Sequence, residues 1–340
     1  MRKLISFLVL CIAVIVLLLL GTWGALALFY TSTLPEILRY SLALVFALLT
    51  LLTIISLIRQ KFRLYTTIGY ALSWALLLLY YSSIEPSNDR DWQRDVAVLS
   101  YAEKHENNIT IHNIRNFHYK TEIDYTPDYY NKSFDINTLN GVDVIAVYWM
   151  GPAIAHVFVS FSFEDGEHLA VSIETRKEKG EAYSTIKGFF KEYELIYVVA
   201  DERDVIGLRT NYRFNPVEDV YIYPLEGTKE EAQNLFSAYI DKINALKVKA
   251  AFYNTLTTNC TTTIWENAKS NIKRLPMSWK ILASGYVPEY LYENNRLKSQ
   301  GLSFEALREM VHVNQRALDA GISPTFSDDI RSVSHTHSLK

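Results

Sequence analysis

Residues 155–176 read AHVFVSFSFEDGEHLAVSIETR, two runs in which apolar residues alternate with other residues. The runs flank Glu164-Asp165-Gly166, which has glycine where a three-residue hairpin loop requires a left-handed backbone. This pattern predicts an antiparallel hairpin with Phe163 opposite Glu167, so that the numbers of paired residues sum to 330. One face of the hairpin is then wholly apolar, and a shift of one residue would scramble it.

The opposite face of this hairpin places His156 across from Glu174. Side chains directly opposite each other on neighbouring strands are close enough to interact. A carboxylate beside an imidazole fixes its tautomer and raises its basicity, as a general base requires. Two structural alternatives remain open: a sheet histidine satisfied by local hydrogen bonds, and a Glu174 that merely begins the charged strand end at residues 174–179.

Further elements surround the hairpin in the sequence. A Thr228-Lys229-Glu230-Glu231 capping box opens a helix that extends to about Lys247 with one apolar stripe. The pattern at residues 300–321 predicts another helix. Residues 108–137 are rich in Asn, Asp and Tyr, and this composition predicts irregular structure. The pattern predicts an α+β domain with an antiparallel sheet, whose strands fall at 142–150, 154–163, 168–175, 192–200 and 219–223.

A second decisive stretch, YNTLTTNCTTTIWEN at residues 253–267, leads from turn-forming residues into a helix. It places Cys260 on the first helical turn, where unpaired backbone N–H groups and the helix dipole favour the thiolate. Such a cysteine is a candidate nucleophile. The alternative is an inert, buried cysteine that packs as a small apolar residue.

The N-terminal part of the chain carries three apolar runs, at residues 4–29, 37–58 and 64–81. The first two are long enough to cross a hydrocarbon core of about 30 Å, and the third is near the lower limit. Basic residues precede the first run and fill the loop at 59–63, which predicts a cytoplasmic N-terminus and a domain on the other side. A cleaved signal peptide fits the sequence less well than an uncleaved span. The residue before Cys11 is Leu10, whereas a cleavage site needs a small residue, and the apolar run continues past it.

These boundaries predict a membrane region at 1–85, an exported domain at 86–324 and a polar tail at 325–340. Cys260 is the single cysteine of the exported part, so it has no internal disulfide partner and is a candidate reactive thiol. The net charge of −3 does not favour nucleic acid as a partner. No metal-ligand spacing and no glycine-rich phosphate loop occurs, so we expect no cofactor and no metal.

A cysteine at a helix start beside a sheet histidine is the arrangement of papain-like thiol chemistry. Here His156 precedes Cys260 in the chain, the reverse of the order in papain. This order resembles the circularly permuted members of the NlpC/P60 superfamily, and the resemblance implies an antiparallel sheet packed on the Cys-bearing helix. The Asn259-Cys260 pair is similar to a motif of the lecithin–retinol acyltransferase branch, whose members carry acyl chains as Cys thioesters.

A broader resemblance covers residues 155–161, 172–181, 193–199 and 252–261, which look like the hallmark segments of the Lnb N-terminal periplasmic domain family. The resemblance implies a bacterial inner-membrane protein whose periplasmic domain transfers an acyl chain from phospholipid to the α-amino group of a diacylated lipoprotein. It also implies Cys260 as nucleophile, His156 as general base and Glu174 as the group orienting His156. The three preceding membrane spans depart from what the family name covers.

Two other functions fit the same residues. A cell-wall cysteine peptidase or amidase of the NlpC/P60 type would share the acyl-enzyme step with an acyltransferase. A non-catalytic envelope binding module would need Cys260 only as a packed side chain. The spatial relation of Cys260 to His156 separates this third possibility from the two enzymes, because catalysis requires hydrogen-bond reach.

Overall fold

A computed structural model describes residues 1–31, 33–271 and 275–332 of the chain. It divides the protein into two compact units. The first comprises Met1–Ser87 together with Tyr183–Tyr193, and the second comprises Asn88–Ala182 and the chain from Glu194 onward. The first division falls at Ser87, two residues beyond the end of the membrane region predicted from the sequence.

The first unit contains three helices, α1 (Arg2–Tyr30), α2 (Glu36–Arg59) and α3 (Arg63–Ser83). All three are long and apolar enough to cross a membrane, and they contain the three spans predicted from the sequence. Gly21 and Gly24 of α1 allow α2 to approach closely, because a Cβ atom at either position would collide with Thr50 or Phe46. Small residues have this role at many contacts between membrane helices.

The segment Tyr183–Tyr193 lies in the first unit, although the sequence placed it inside the exported domain. The Phe190 ring packs against Trp23 and Tyr30, with ring centroids 6.3 and 5.7 Å away. Lys191 Nζ donates to two backbone carbonyls at the end of α3, both at 2.8 Å. A connection between two strands carries no periodic pattern, so this association could not be predicted from the sequence.

The second unit is built on a sheet of eight strands among its described residues, with the order β1-β2-β9-β8-β7-β6-β10 and β5 paired to β2. The pairs are antiparallel except for β2 with β9. A separate hairpin joins β3 to β4. The strands are β1 (Tyr101–His105), β2 (Asn108–Arg115), β3 (His118–Tyr119), β4 (Tyr125–Thr126), β5 (Tyr129–Asp135), β6 (Leu139–Tyr148), β7 (Ala155–Phe163), β8 (His168–Arg176), β9 (Glu194–Ala200) and β10 (Asp219–Pro224).

The mixed α+β architecture and the five strands predicted from Gly141 onward are confirmed, with ends that differ by at most three residues. The predicted irregular structure at 108–137 is wrong, because β2 and β5 pair across this region. Their register shifts between Ile111 and Ile114, where Asn113 adopts a φ of 61°. Such a bulge breaks the alternation of apolar residues that identifies a strand in sequence.

The predicted hairpin register is confirmed, since Val159 pairs with Val171 and Phe161 with Leu169. Pairing between β7 and β8 runs only from Val159 to Ser162, whereas β7 continues to pair with β6 as far as Ala155. The two strands therefore separate at the end that carries His156. The apolar face of the hairpin packs against the helix Lys229–Val248, with the centres of the Phe161 and Phe236 rings 5.0 Å apart.

Helices cover both faces of the sheet. On one face lies α5 (Lys229–Val248), which begins with the predicted capping box at Thr228. An apolar cluster on the other face joins sheet residues to α4, α10 and α11. The other helices described in this unit are α4 (Glu202–Gly207), a π-helix (Leu208–Tyr212), α6 (Cys260–Asn271), α7 (Trp279–Leu282), α8 (Val287–Glu293), α9 (Phe304–Met310), α10 (Asn314–Ala320), α11 (Phe326–Asp329) and two 3-10 helices, Ile136–Thr138 and Ser284–Tyr286.

Two predictions near the C-terminus require correction. The helix expected at 300–321 is two helices, α9 and α10, because Val313 N–H between them donates to the β10 carbonyl of Val220 at 2.9 Å. The polar tail expected at 325–340 is wrong for its described part, since Phe326 and Ile330 are fully buried in the core. Residues 333–340 of that expected tail lie outside the described residues.

Candidate active site

Cys260 is the first residue of α6, as predicted. The preceding residue, Asn259, caps this helix: its Oδ1 accepts the backbone N–H groups of Thr261 and Thr262, both at 2.9 Å. Capping by an Asn side chain satisfies N–H groups that lack a partner within the helix. The polar loop therefore serves to start the helix at the cysteine.

The Cys260 thiol interacts with the His156 side chain and with the Val157 backbone N–H, and both interactions lower the pKa of the thiol. Strand alternation puts His156 and Val157 on opposite faces of the sheet, and α6 packs on the Val157 face. Sulfur and imidazole meet because β7 and β8 separate beyond Val159 and Val171. The structure thus joins two residues that are more than a hundred positions apart in sequence.

Ser172 connects His156 to Glu174. The Ser172 hydroxyl donates to Glu174 Oε1 at 2.7 Å, and its Oγ lies 2.7 Å from His156 Nε2. His156 Nε2 and Glu174 Oε1 are 3.6 Å apart. Because the Ser172 hydroxyl donates its proton to Glu174, its Oγ accepts a hydrogen bond from the Nε2–H of His156, which leaves Nδ1 of His156 for the thiol. The predicted histidine–carboxylate pair therefore exists through a bridging serine.

Arg209 forms an ion pair with Glu174, the carboxylate in this series of hydrogen bonds. Its Nη2 is 3.1 Å from Glu174 Oε1, and its guanidinium lies 5.3 Å from the centre of the Phe158 ring. Arg209 is buried within the π-helix that follows α4. Sequence reasoning missed both Arg209 and Ser172. The predicted register could have found Ser172, which shares a face with His156, but no sequence signal pointed to Arg209.

The electrostatics of the site favour an ion pair between Cys260 and His156. Burial raises the pKa of the Cys260 thiol, but the hydrogen bond and charge of His156 and two backbone N–H groups outweigh it, so the pKa is lowered. Burial lowers the pKa of His156, but interactions with Cys260 and Glu174 outweigh it and raise this pKa. Opposite shifts of a thiol and an imidazole stabilise thiolate with imidazolium.

Glu174 is ionised in this environment. Burial alone would raise the pKa of its carboxyl group, but His156 and then Arg209 lower it well below the usual value. A fixed negative charge at the end of the Ser172 bridge stabilises a protonated His156. Glu174 therefore favours the thiolate indirectly, because it stabilises the protonated imidazole that interacts with Cys260.

An apolar cavity lies against α6, near the end of the helix that Cys260 begins, although Cys260 itself does not line it. Its wall includes Thr261, the neighbour of Cys260, and Val157, whose N–H group contacts the sulfur. Most of the other lining residues are aliphatic or aromatic, and Glu226 and Arg296 are the charged ones. The site thus combines a nucleophile with a cavity suited to an apolar group.

Asp143, His168 and Glu202 form the one cluster, among the described residues, whose ligand atoms lie close enough together for a metal ion. The Arg331 guanidinium already donates to both carboxylates, at 2.6 Å to Asp143 Oδ2 and 2.6 Å to Glu202 Oε1. A cation therefore already neutralises this cluster. Its residues fit an internal ion-pair network better than a metal centre.

Residues 125–285 match the family model of the Lnb N-terminal periplasmic domain. The matched range contains Cys260, His156, Ser172, Glu174 and Arg209. No curated protein and no solved structure was found to match the chain. Three apolar N-terminal helices and similarity to a periplasmic domain indicate a membrane protein with a periplasmic domain.

Proposed function

We propose that the protein is a membrane-anchored thiol acyltransferase that uses Cys260 as its nucleophile. The observation that carries this proposal is the position of Cys260 at the start of a helix, where its thiol interacts with His156, whose imidazole is held in turn by Ser172 and Glu174. A cysteine that served only for packing would not need an imidazole or a carboxylate behind it. The arrangement is that of an activated nucleophile with a base and an orienting group.

In the first half-reaction, the Cys260 thiolate attacks an ester carbonyl of a phospholipid. A C–S bond forms and the bond from the acyl carbon to the glycerol oxygen breaks. The His156 imidazolium gives its proton to the departing alkoxide, which leaves as a lysophospholipid. The products are a Cys260 thioester and a neutral His156.

In the second half-reaction, a neutral amine attacks the thioester carbonyl. His156 accepts the proton that the amine loses, a C–N bond forms, and the C–S bond breaks. The thiolate and the imidazolium are thereby restored without any cofactor. The Ser172 and Glu174 contacts hold His156 in one tautomer through both steps.

The choice of substrates rests on similarity and on the membrane region. The proposed donor is a phospholipid and the proposed acceptor is the α-amino group of a diacylated lipoprotein, as the similarity to the Lnb N-terminal periplasmic domain implies. Three apolar helices would keep the second unit at the membrane that holds both substrates, which raises their effective concentration. In this proposal the N-terminus is cytoplasmic and the second unit is periplasmic.

We further propose that the second unit is a circularly permuted papain-like domain of the NlpC/P60 type. A mainly antiparallel sheet, a helix with Cys260 at its first residue, and a histidine on an earlier strand support this assignment. A cell-wall peptidase would share these features. The apolar cavity beside the thiol favours an acyl donor over a peptide stem, which is polar and charged.

Replacement of Cys260 by serine tests the proposed function. We expect Cys260→Ser to abolish lipoprotein N-acylation in a strain lacking the native protein, as measured by mass spectrometry of lipoprotein N-termini. The matched control is Cys11→Ser in α1, which should restore N-acylation fully. Unchanged N-acylation with Cys260→Ser would contradict the proposal. Altered muropeptides together with normal lipoprotein N-termini would instead identify a cell-wall peptidase.

A further inference from the structure

The cavity beside Cys260 follows the axis of α6. Thr261, Ile264 and Ala268 of this helix all line it. Cys260, Ile264 and Ala268 are four residues apart in turn, so they share one face of the helix, and Ala268 is about 12 Å along the axis from Cys260. The cavity therefore follows α6 for roughly two turns, starting at Thr261, the neighbour of Cys260.

The wall facing α6 is equally apolar. Strands β6 and β7 contribute Val144, Val157 and Val159. Ile281 and Leu291 of α7 and α8 close the other side. Apolar surface of this extent, left next to a nucleophile, is destabilising unless a ligand covers it.

The outer side of α7 is also apolar. Ile281 lines the cavity, whereas its neighbours Trp279 and Leu282 expose 62% and 48% of their surface. Exposed apolar groups beside a cavity are typical of a site that receives an apolar ligand. An acyl chain that leaves a bilayer would meet apolar side chains before it enters.

We propose that this cavity binds the acyl chain that is attached to Cys260, with the chain lying along α6 from the sulfur toward Ala268. The occupant is a single unbranched acyl chain of a phospholipid. This inference rests on the proposed function for its use of the thioester, but lipid binding itself does not require the thiol. Ala268 then permits a long chain, because its small side chain leaves the cavity open two turns from the start of α6, and a larger side chain there would shorten the chain that fits.

The first test measures binding without chemistry. Full-length protein with Cys260→Ala would be placed in phosphatidylcholine nanodiscs in which the palmitoyl chain carries a diazirine. We expect photo-crosslinks, mapped by peptide mass spectrometry, on α6 and α8 as well as on the membrane helices. Crosslinks confined to the membrane helices would overturn the assignment of the cavity.

The second test measures chain selectivity. Ala268→Phe should reduce the palmitoyl adduct on Cys260 about tenfold, since it excludes roughly two methylene groups, but should leave the octanoyl adduct unchanged. Ala268→Leu should cause a smaller loss, so the series separates cavity filling from misfolding. Leu318→Phe, an exposed position on α10, is the matched control. Equal loss of both adducts, or loss of neither, would contradict the proposal.

The two tests also separate the cavity assignment from the proposed function. Crosslinks on α6 without any adduct on Cys260 would leave the lipid site standing and would refute acyl transfer. An adduct on Cys260 that is insensitive to Ala268→Phe, without crosslinks on α6, would support acyl transfer and refute this site.

Discussion

Two histidine clusters lie on the same face of the β7–β8 hairpin, one at each end. Each joins a histidine, a serine from the opposite strand, a buried or half-buried glutamate and an arginine. In the first, His156 Nε2 is 2.7 Å from Ser172 Oγ. In the second, His168 Nδ1 is 3.3 Å from Ser162 Oγ and 3.8 Å from Glu202 Oε1. The first cluster contains Arg209 and Glu174, and the second contains Arg331 and Glu202.

The clusters differ in whether β7 and β8 are paired at that end of the hairpin. Ser162 and His168 are directly paired, so the sheet is closed at that end. At the other end the pairing of β7 with β8 has stopped, and there the Cys260 thiol interacts with His156 and with the Val157 N–H. An imidazole, a carboxylate and a guanidinium in contact therefore do not by themselves identify a catalytic site. An opening in the sheet that admits a thiol distinguishes the candidate site from an internal ion-pair network.

The largest difference is expected between the two histidines. His156→Gln should reduce formation of the Cys260 acyl adduct by about 10²- to 10⁴-fold, because it removes the general base and acid. His168→Gln should leave the adduct rate within a few-fold of the native value. Intact-mass time courses with a palmitoyl phospholipid would measure both rates. Comparable losses in the two variants would show that the comparison is mistaken.

Substitution of the two glutamates also distinguishes the clusters, with a smaller expected effect on the rate of adduct formation. Glu174→Gln should slow adduct formation about ten- to a hundredfold, the value of roughly 1.5–3 kcal/mol for a hydrogen bond to a charged group. Glu202→Gln should instead destabilise the fold by about 3–5 kcal/mol, because it leaves Arg331 partly unpaired in the interior. Adduct kinetics and thermal unfolding should be measured for both variants. A stability loss from Glu174→Gln as large as that from Glu202→Gln would assign both clusters a structural role.

The smallest expected effect is a change in pH dependence. The lowered pKa of Cys260 and the raised pKa of His156 keep the thiolate populated below the pH at which a free thiol loses its proton, about 8.5. The alkylation rate of Cys260 by iodoacetamide should therefore fall little from neutral to mildly acidic pH. In His156→Gln it should fall about tenfold per pH unit. Parallel profiles in the two proteins would show that the imidazole does not stabilise the thiolate.

Folding stability should follow pH through Glu174. Its pKa is lower in the folded protein, so its contribution is present above the ordinary carboxyl value and is lost as pH falls through the folded pKa. Acid unfolding monitored by circular dichroism should thus begin at higher pH in Glu174→Gln than in the native protein.

Local patterns in the sequence were enough to predict the hairpin and the helix start at Cys260. Alternation and a glycine turn set the register, and Asn and Thr before the cysteine set the helix cap. Contacts that depend on tertiary structure were not predictable. Arg209 reaches Glu174 from a π-helix on another element, and no periodicity connects the two.

Residues near the ends of elements were misjudged for a related reason. Arg331 lies in a polar stretch, and polarity alone suggested a solvated tail. Its guanidinium instead neutralises two carboxylates, which lets Phe326 and Ile330 enter the core beside it. Composition describes the average environment of a segment and does not reveal such pairing.

The helix cap at Asn259 has a consequence for how the nucleophile could be exchanged. The Asn259 amide oxygen supports the first turn, so the helix cap is supplied by the residue before the nucleophile and not by the nucleophile itself. Sulfur could give way to oxygen or selenium with the surrounding scaffold unaltered. The reactivity of the side chain at position 260 can therefore be changed separately from the cap that starts the helix.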